Sequence, residues 1–145
     1  MSVSVRGVAV AMTLATLVAC GGGGGGNAQD KPPPSPLGVN LKEFSLTPGK
    51  TSVAAGRIRF FAQNAGTVKH MLVVLRSDLA PDRLPVDGDV VDVDGSGVKL
   101  IGSIDQFDAG TISRKVMTLE AGAHVLICNV PSHYQQGMRA ALSVT

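Results

Sequence analysis

Near the C-terminus the segment CNVPSHYQQGM, Cys128 to Met138, sets a thiol, an imidazole and a thioether at intervals of five residues. The whole chain has only two Cys, three His and five Met, so this grouping is not a matter of composition. Apolar runs flank it, AHVLI before and RAALSV after, and the segment therefore reads as a loop between two strands. In AHVLIC the side chains alternate, so His124, Leu126 and Cys128 share one face. Leu126 marks that face as inward, which brings Cys128 to the end of an inward row at one pole of a β structure. The loop then crosses that pole, and Met138 stands where the final strand begins. A fourth donor has to come from elsewhere at the same pole. His70, which follows the turn sequence NAGT and opens the apolar run MLVVL, is the candidate.

Two imidazoles, one thiolate and a thioether at longer range match the trigonal copper arrangement with a weak axial Met. Zinc also takes Cys and His, but its sites seldom recruit Met. Thiolate and thioether favour Cu(I), whereas imidazole accepts both Cu(I) and Cu(II). The expectation is one copper per chain, with His70, Cys128 and His133 in the plane and Met138 axial. No position is left open for a substrate, so the site suits single-electron transfer and not catalysis. His133, in a loop with Pro131, Tyr134 and Gln135, is expected to be the ligand nearest solvent. That loop, read as exposed, is then the place for a redox partner protein to dock transiently. His124 lies four residues before Cys128, about 13 Å along a strand, and reads as a core or edge residue. Met71 and Met117 fall within strand patterns and read as core. DVDGSG, Asp92 to Gly97, opens like a calcium loop, but its twelfth position is Ser103 and not Glu, so calcium is not expected.

The elements that must position these donors read as β throughout. VNLKEFSLTP, RIRFFAQN, HMLVVL, KLIGSIDQF, TISRKVMTL, AHVLICN and RAALSVT are short, apolar or alternating, and bounded by Gly, Asp or Pro. Between HMLVVL and KLIGSIDQF lies a long insertion, residues 77–97, with room for one helical turn. Six of the 11 acidic residues fall in it, from Asp78 to Asp94, which is the pattern of a solvated loop or of a docking patch for a basic partner. About seven or eight short strands predict an all-β Greek-key sandwich or barrel over residues 37–145.

The N-terminal part reads differently. Arg6 precedes the apolar stretch GVAVAMTLATLVA, which is too short to span a bilayer and fits a secretory signal peptide over residues 1–19. It ends in LVAC, which resembles a bacterial lipobox and implies cleavage before Cys20 and lipid attachment to its sulfur. Residues 20–36 then carry six glycines and a Pro-rich piece, the composition of a tether. With Cys20 so used, Cys128 has no disulfide partner in the chain, and in an exported protein it reads either as a buried structural thiol or as a metal-bound thiolate that coordination holds deprotonated. Lys and Arg number 13 against 11 acidic residues and are scattered, which sets nucleic acid aside.

NAGTVKH followed by CNVPSHYQQGM resembles the cupredoxins, the blue copper proteins, and among them the rusticyanin- and sulfocyanin-like members. The resemblance covers about residues 37–145 and implies the ligands His70, Cys128, His133 and Met138. Members commonly carry Gly just before the second His, where this chain has Ser132. A positive φ there would strain the loop. The implied function is a monomeric, membrane-tethered electron carrier, periplasmic or at the surface of a bacterial cell. The competing readings are a copper chaperone or storage protein with the same ligands, and a metal-free binding module on the same fold.

Overall fold

The computed structural model describes Ser2 and residues 31–145. The signal peptide expected over residues 1–19, Cys20 and the tether up to residue 30 lie outside the described residues. From Pro32 to Thr145 the chain forms one compact unit. Its strands are β1 (Ser35–Lys42), β2 (Ser45–Pro48), β3 (Ser52–Val53), β4 (Gly56–Asn64), β5 (His70–Arg76), β6 (Val86–Asp87), β7 (Val90–Val91), β8 (Lys99–Phe107), β9 (Ile112–Leu119), β10 (Gly122–Ile127) and β11 (Arg139–Val144). Eight of them have four residues or more, the number expected, and among the described residues there is no helix. The turn of helix allowed for in the insertion does not form. In its place stands the small hairpin of β6 and β7.

Two sheets face each other. One has the order β2-β1-β4-β9 and the other β3-β11-β10-β5-β8. β1 with β4, and β3 with β11, pair in parallel, and the remaining pairs are antiparallel. Period-2 alternation explains the packing. Leu37, Val39 and Leu41 of β1, Ile58, Phe60 and Ala62 of β4, and Leu72, Val74, Leu126 and Leu142 of the facing sheet fill one buried layer. β5 is buried on both faces, which is why HMLVVL reads as an unbroken apolar run. Its second face, Val73 and Leu75, joins Val125 and Ile127 of β10 in a smaller cluster closed by Leu84 and Val91 of the insertion and by Tyr134. β1 begins at Ser35, inside the stretch read as tether. Pro36 is tolerated there because β2 pairs with β1 only from Val39 onward, which leaves one side of the strand open.

VNLKEFSLTP, read as one strand, is a hairpin with Glu43 and Phe44 at its tip. The parity of the buried positions shows why. Leu37, Val39 and Leu41 are odd-numbered, whereas the next buried residue, Leu46, is even. Leu41 pairs with Leu46 and Lys42 with Ser45 across the two-residue tip, which carries the inward row from odd to even.

Candidate metal centre

β5 begins, β10 ends and the β1–β2 tip turns at one pole of the sandwich. The register between β10 and β11 pairs Ile127 with Arg139, and one step further Cys128 N–H donates to Met138 O at 3.0 Å. Cys128 and Met138 thus stand opposite each other and share the inward layer, both fully buried. Between them the chain folds back on itself in tight turns. His133 N–H donates to Val130 O at 3.0 Å, and Met138 N–H donates to His133 O at 3.1 Å. Ser132 has φ 67°, the one non-glycine residue with positive φ among those described, as the Gly-for-Ser comparison anticipates. That left-handed residue turns the loop so that His133 points back over Cys128.

The structure brings together His70, Cys128 and His133, whose ligand atoms all lie within 4.8 Å of one another. His70 Nδ1 is 3.2 Å from His133 Nδ1, and Cys128 Sγ is 3.7 Å from the first and 3.5 Å from the second. A circle through three points so spaced has a radius of about 2.0 Å. Nitrogen and thiolate donors bind a comparable ion, zinc, at about 2.0–2.3 Å. The triangle therefore has the size that one ion at its centre requires, and the three residues lie close enough to form a type 1 copper site.

Electrostatics follow from burial. Desolvation pushes the Cys128 thiol up, while backbone N–H groups of Met71 and Val130 directed at the sulfur act the other way. Those amides are the donors that a bound thiolate would keep. His70 is pushed down by burial, against the pull of Glu43. His133 is pushed down by burial and by the neighbouring His70. Glu43 sits low, at about 2, chiefly because the Val68 amide donates to it, with its own amide and that of Thr67 adding to the effect. Glu43 Oε1 lies 3.2 Å from His70 Nε2, near enough for an ion pair but off the line that a hydrogen bond prefers, and Nε2 has no other partner.

His70, Cys128 and Met138 are 0% exposed and His133 is 8% exposed, so His133 is the donor nearest solvent. Its ring meets Phe44 edge-on with centroids 5.3 Å apart. Tyr134 corrects the sequence reading. It is not exposed with its neighbours but buried in the smaller cluster, because the insertion folds over it. Its hydroxyl accepts from Leu84 N–H at 3.1 Å and donates to Pro81 O at 2.7 Å. Further ties bind the insertion to the ligand loop, among them Gln135 Nε2 donating to Gly88 O at 3.3 Å. Asn129 exchanges both of its amide bonds with Val91, at 2.7 and 3.1 Å, and Ser132 N–H donates to Asp89 O at 2.8 Å. His124 stays apart from the triangle. It is buried on the inward face of β10 toward the other pole, with Nδ1 3.2 Å from Gly122 O. Met117 is core, and Met71 packs against it. Among the described residues the acidic insertion contributes to no group of three metal-ligating side chains.

Sequence reasoning missed Glu43 and Phe44, and also Asn64. The last is fully buried and ties the turn before His70, donating to Val68 O at 2.8 Å and to Phe107 O at 3.2 Å while accepting from Gly66 N–H at 3.0 Å. The signal for Glu43 was present, since a charged residue follows Leu41 on the inward parity of a strand.

No family model matches the chain, and no curated protein matches it either. Solved structures do. Auracyanin from the photosynthetic bacterium Roseiflexus castenholzii superposes with a TM-score of 0.56 at 20% identity, over 77% of this chain and 97% of that one. Auracyanin A, a "blue" copper protein from the green thermophilic photosynthetic bacterium Chloroflexus aurantiacus, gives 0.55 at 19%, over 78% and 100%. Auracyanin B gives 0.56 at 21%, over 80% and 92%. At such identities the likeness is one of architecture, and with the two facing sheets and the donor triangle at one pole it establishes that the described chain has the cupredoxin fold.

Proposed function

We propose that the domain is a type 1 copper protein that carries single electrons. The observation that supports this most directly is the donor triangle, two imidazoles and a thiolate on a radius of about 2.0 Å, with the fully buried Met138 paired to Cys128 across the strand ends. A copper ion held there would supply a one-electron Cu(II)/Cu(I) couple. The chain's own part is to hold His70, Cys128 and His133 in one geometry for both states. The thiolate is anchored by strand pairing and by backbone N–H groups, and His70 by the strand it opens. His133 is the route for the electron, since it alone of the four has an edge toward solvent. Exposed Phe44 and Val68, 42% and 45% accessible, lie on that side of the site. They give a redox partner an apolar surface for brief contact.

Burial favours carriage over handling of the ion, because a chaperone has to release copper to an acceptor and this site is closed. The reading extends to location. The leader, Cys20 and the Gly- and Pro-rich stretch support an exported lipoprotein held at a bacterial membrane, and the same proposal has the domain working as a monomer. Among the described residues no helix is long and apolar enough to cross a membrane. Loading the metal-free domain with Cu(II) and recording the visible spectrum tests the central claim. An intense blue or green colour is expected, lost in Cys128→Ala and kept in His124→Ala. A pale spectrum, or rapid loss of copper to a chelator, overturns the carrier assignment. Mass spectrometry of the mature N-terminus tests the anchor, and an unmodified N-terminus rules it out.

A further inference from the structure

The tip of the β1–β2 hairpin touches both imidazoles of the triangle, Glu43 at His70 and Phe44 at His133. Glu43 is the more informative of the two. Its Oε1 faces His70 Nε2, the ring nitrogen turned away from Cys128 and His133. The same oxygen accepts from Thr67 N–H at 2.8 Å and from Val68 N–H at 2.9 Å. The carboxylate is therefore seated by the loop that leads into His70 and is not free to swing into water. Gly66 supplies an independent sign of the same seat. A Cβ there would collide with the Glu43 carboxylate, and its φ is not positive, so the space and not the backbone conformation calls for glycine.

We propose that Glu43 is a positioning residue that fixes the ring of His70 from behind and biases the copper couple toward Cu(II), a role that rests on the copper reading above. A carboxylate at Nε2 keeps the proton on that nitrogen and leaves the lone pair of Nδ1 for the metal. It also stops the ring from turning about its Cβ–Cγ bond. A fixed negative charge behind the ligand stabilises the more positive oxidation state, since reduction removes one positive charge from its vicinity.

Three variants test this. Glu43→Gln keeps the shape and an oxygen for the two amides but removes the charge. Glu43→Asp keeps the charge but withdraws it. Gly66→Ala leaves Glu43 intact and displaces it. Glu43→Gln should favour Cu(I) over Cu(II) by about tenfold, the lower end of the effect of outer-shell partners on metal sites. For a one-electron couple that is a rise of about 59 mV by voltammetry. Gly66→Ala should shift in the same direction, and Glu43→Asp should lie nearer wild type than Glu43→Gln. A potential unchanged in folded Glu43→Gln overturns the proposal. If that variant does not fold, Gly66→Ala decides by the same measurement. A second readout needs no metal. Nitrogen NMR of His70 in the metal-free protein should show the proton on Nε2 in wild type and a mixture of tautomers in Gly66→Ala, where the carboxylate is displaced. A mixture in wild type refutes the positioning role. Should wild type take up no copper, the functional reading falls, while the tautomer still decides whether Glu43 holds His70.

Discussion

Replacing Tyr134 by Phe removes one oxygen atom and tests what holds the acidic insertion on the ligand loop. Tyr134 is 4% exposed and its hydroxyl is the one hydrogen-bond partner of Leu84 N–H. Without it that buried donor is left unsatisfied, at a cost of about 1–3 kcal/mol. The bond to Pro81 O is lost as well, but a carbonyl has a second lone pair and tolerates the loss better. The folded unit runs from Pro32 to Thr145. At about 2.1 cal/mol/K per residue its unfolding entropy is roughly 0.24 kcal/mol/K, so Tm should fall by about 4–12 °C. Urea denaturation of the metal-free domain measures the loss directly, and hydrogen exchange at Leu84 and Val91 should quicken before the core amides do. The donor triangle is shaped by turns that do not use the hydroxyl, so the copper-loaded variant should keep its colour. A loss under about 0.5 kcal/mol would mean that the insertion is held by other contacts. Loss of the colour would mean that the insertion itself shapes the ligand loop.

Three further outcomes are expected. Met138→Leu should raise the reduction potential and Met138→Gln should lower it, because a thioether is a weak axial donor and an amide oxygen favours Cu(II). Copper should stay bound in both, and a potential indifferent to position 138 refutes the axial role. Ser132→Gly should stabilise the domain by about 0.5–1 kcal/mol in denaturant titration, since it relieves a left-handed conformation worth 1–2 kcal/mol while loosening the unfolded chain. A destabilised variant refutes the strain. In the metal-free protein burial depresses His70, His124 and His133, so over the range below about 6.5 the unfolded chain binds protons that the folded chain refuses. Stability should therefore be full at higher pH and fall as pH drops through that value. Glu43, lowered from 4.5 to about 2, adds its own loss only below the first of those values. A stability profile flat between about pH 7.5 and 5 contradicts the burial of the imidazoles.

What the sequence made legible was whatever local periodicity controls. The strands carrying Cys128 and Met138 alternate cleanly, and the loop between them is short, so their convergence could be read from spacing. His70 could be placed because a turn sequence and a buried strand bracket it. The hairpin tip at Glu43 and Phe44 was missed because both arms alternate well enough to pass as one strand. The apolar positions change parity between Val39 and Leu41 on one side and Phe44 and Leu46 on the other, and that change separates them. Tyr134 was misplaced for another reason. Its hydrogen-bond partners lie 50 and 53 positions earlier in the chain, in a segment whose polar composition suggests solvent. Nothing local tells that Leu84 and Val91 of that segment turn inward.

β1 runs from Ser35 to the tip that touches His70 and His133. Seven residue steps at about 3.3 Å carry it roughly 23 Å, the length of the sandwich. The preceding chain therefore joins the domain at the pole opposite the donors. Under the anchoring proposed above, the His133 edge lies at the other end of β1 from the point of attachment. The span of the attachment would then set how far the carrier can travel between partners, and leave the face it presents to them unchanged.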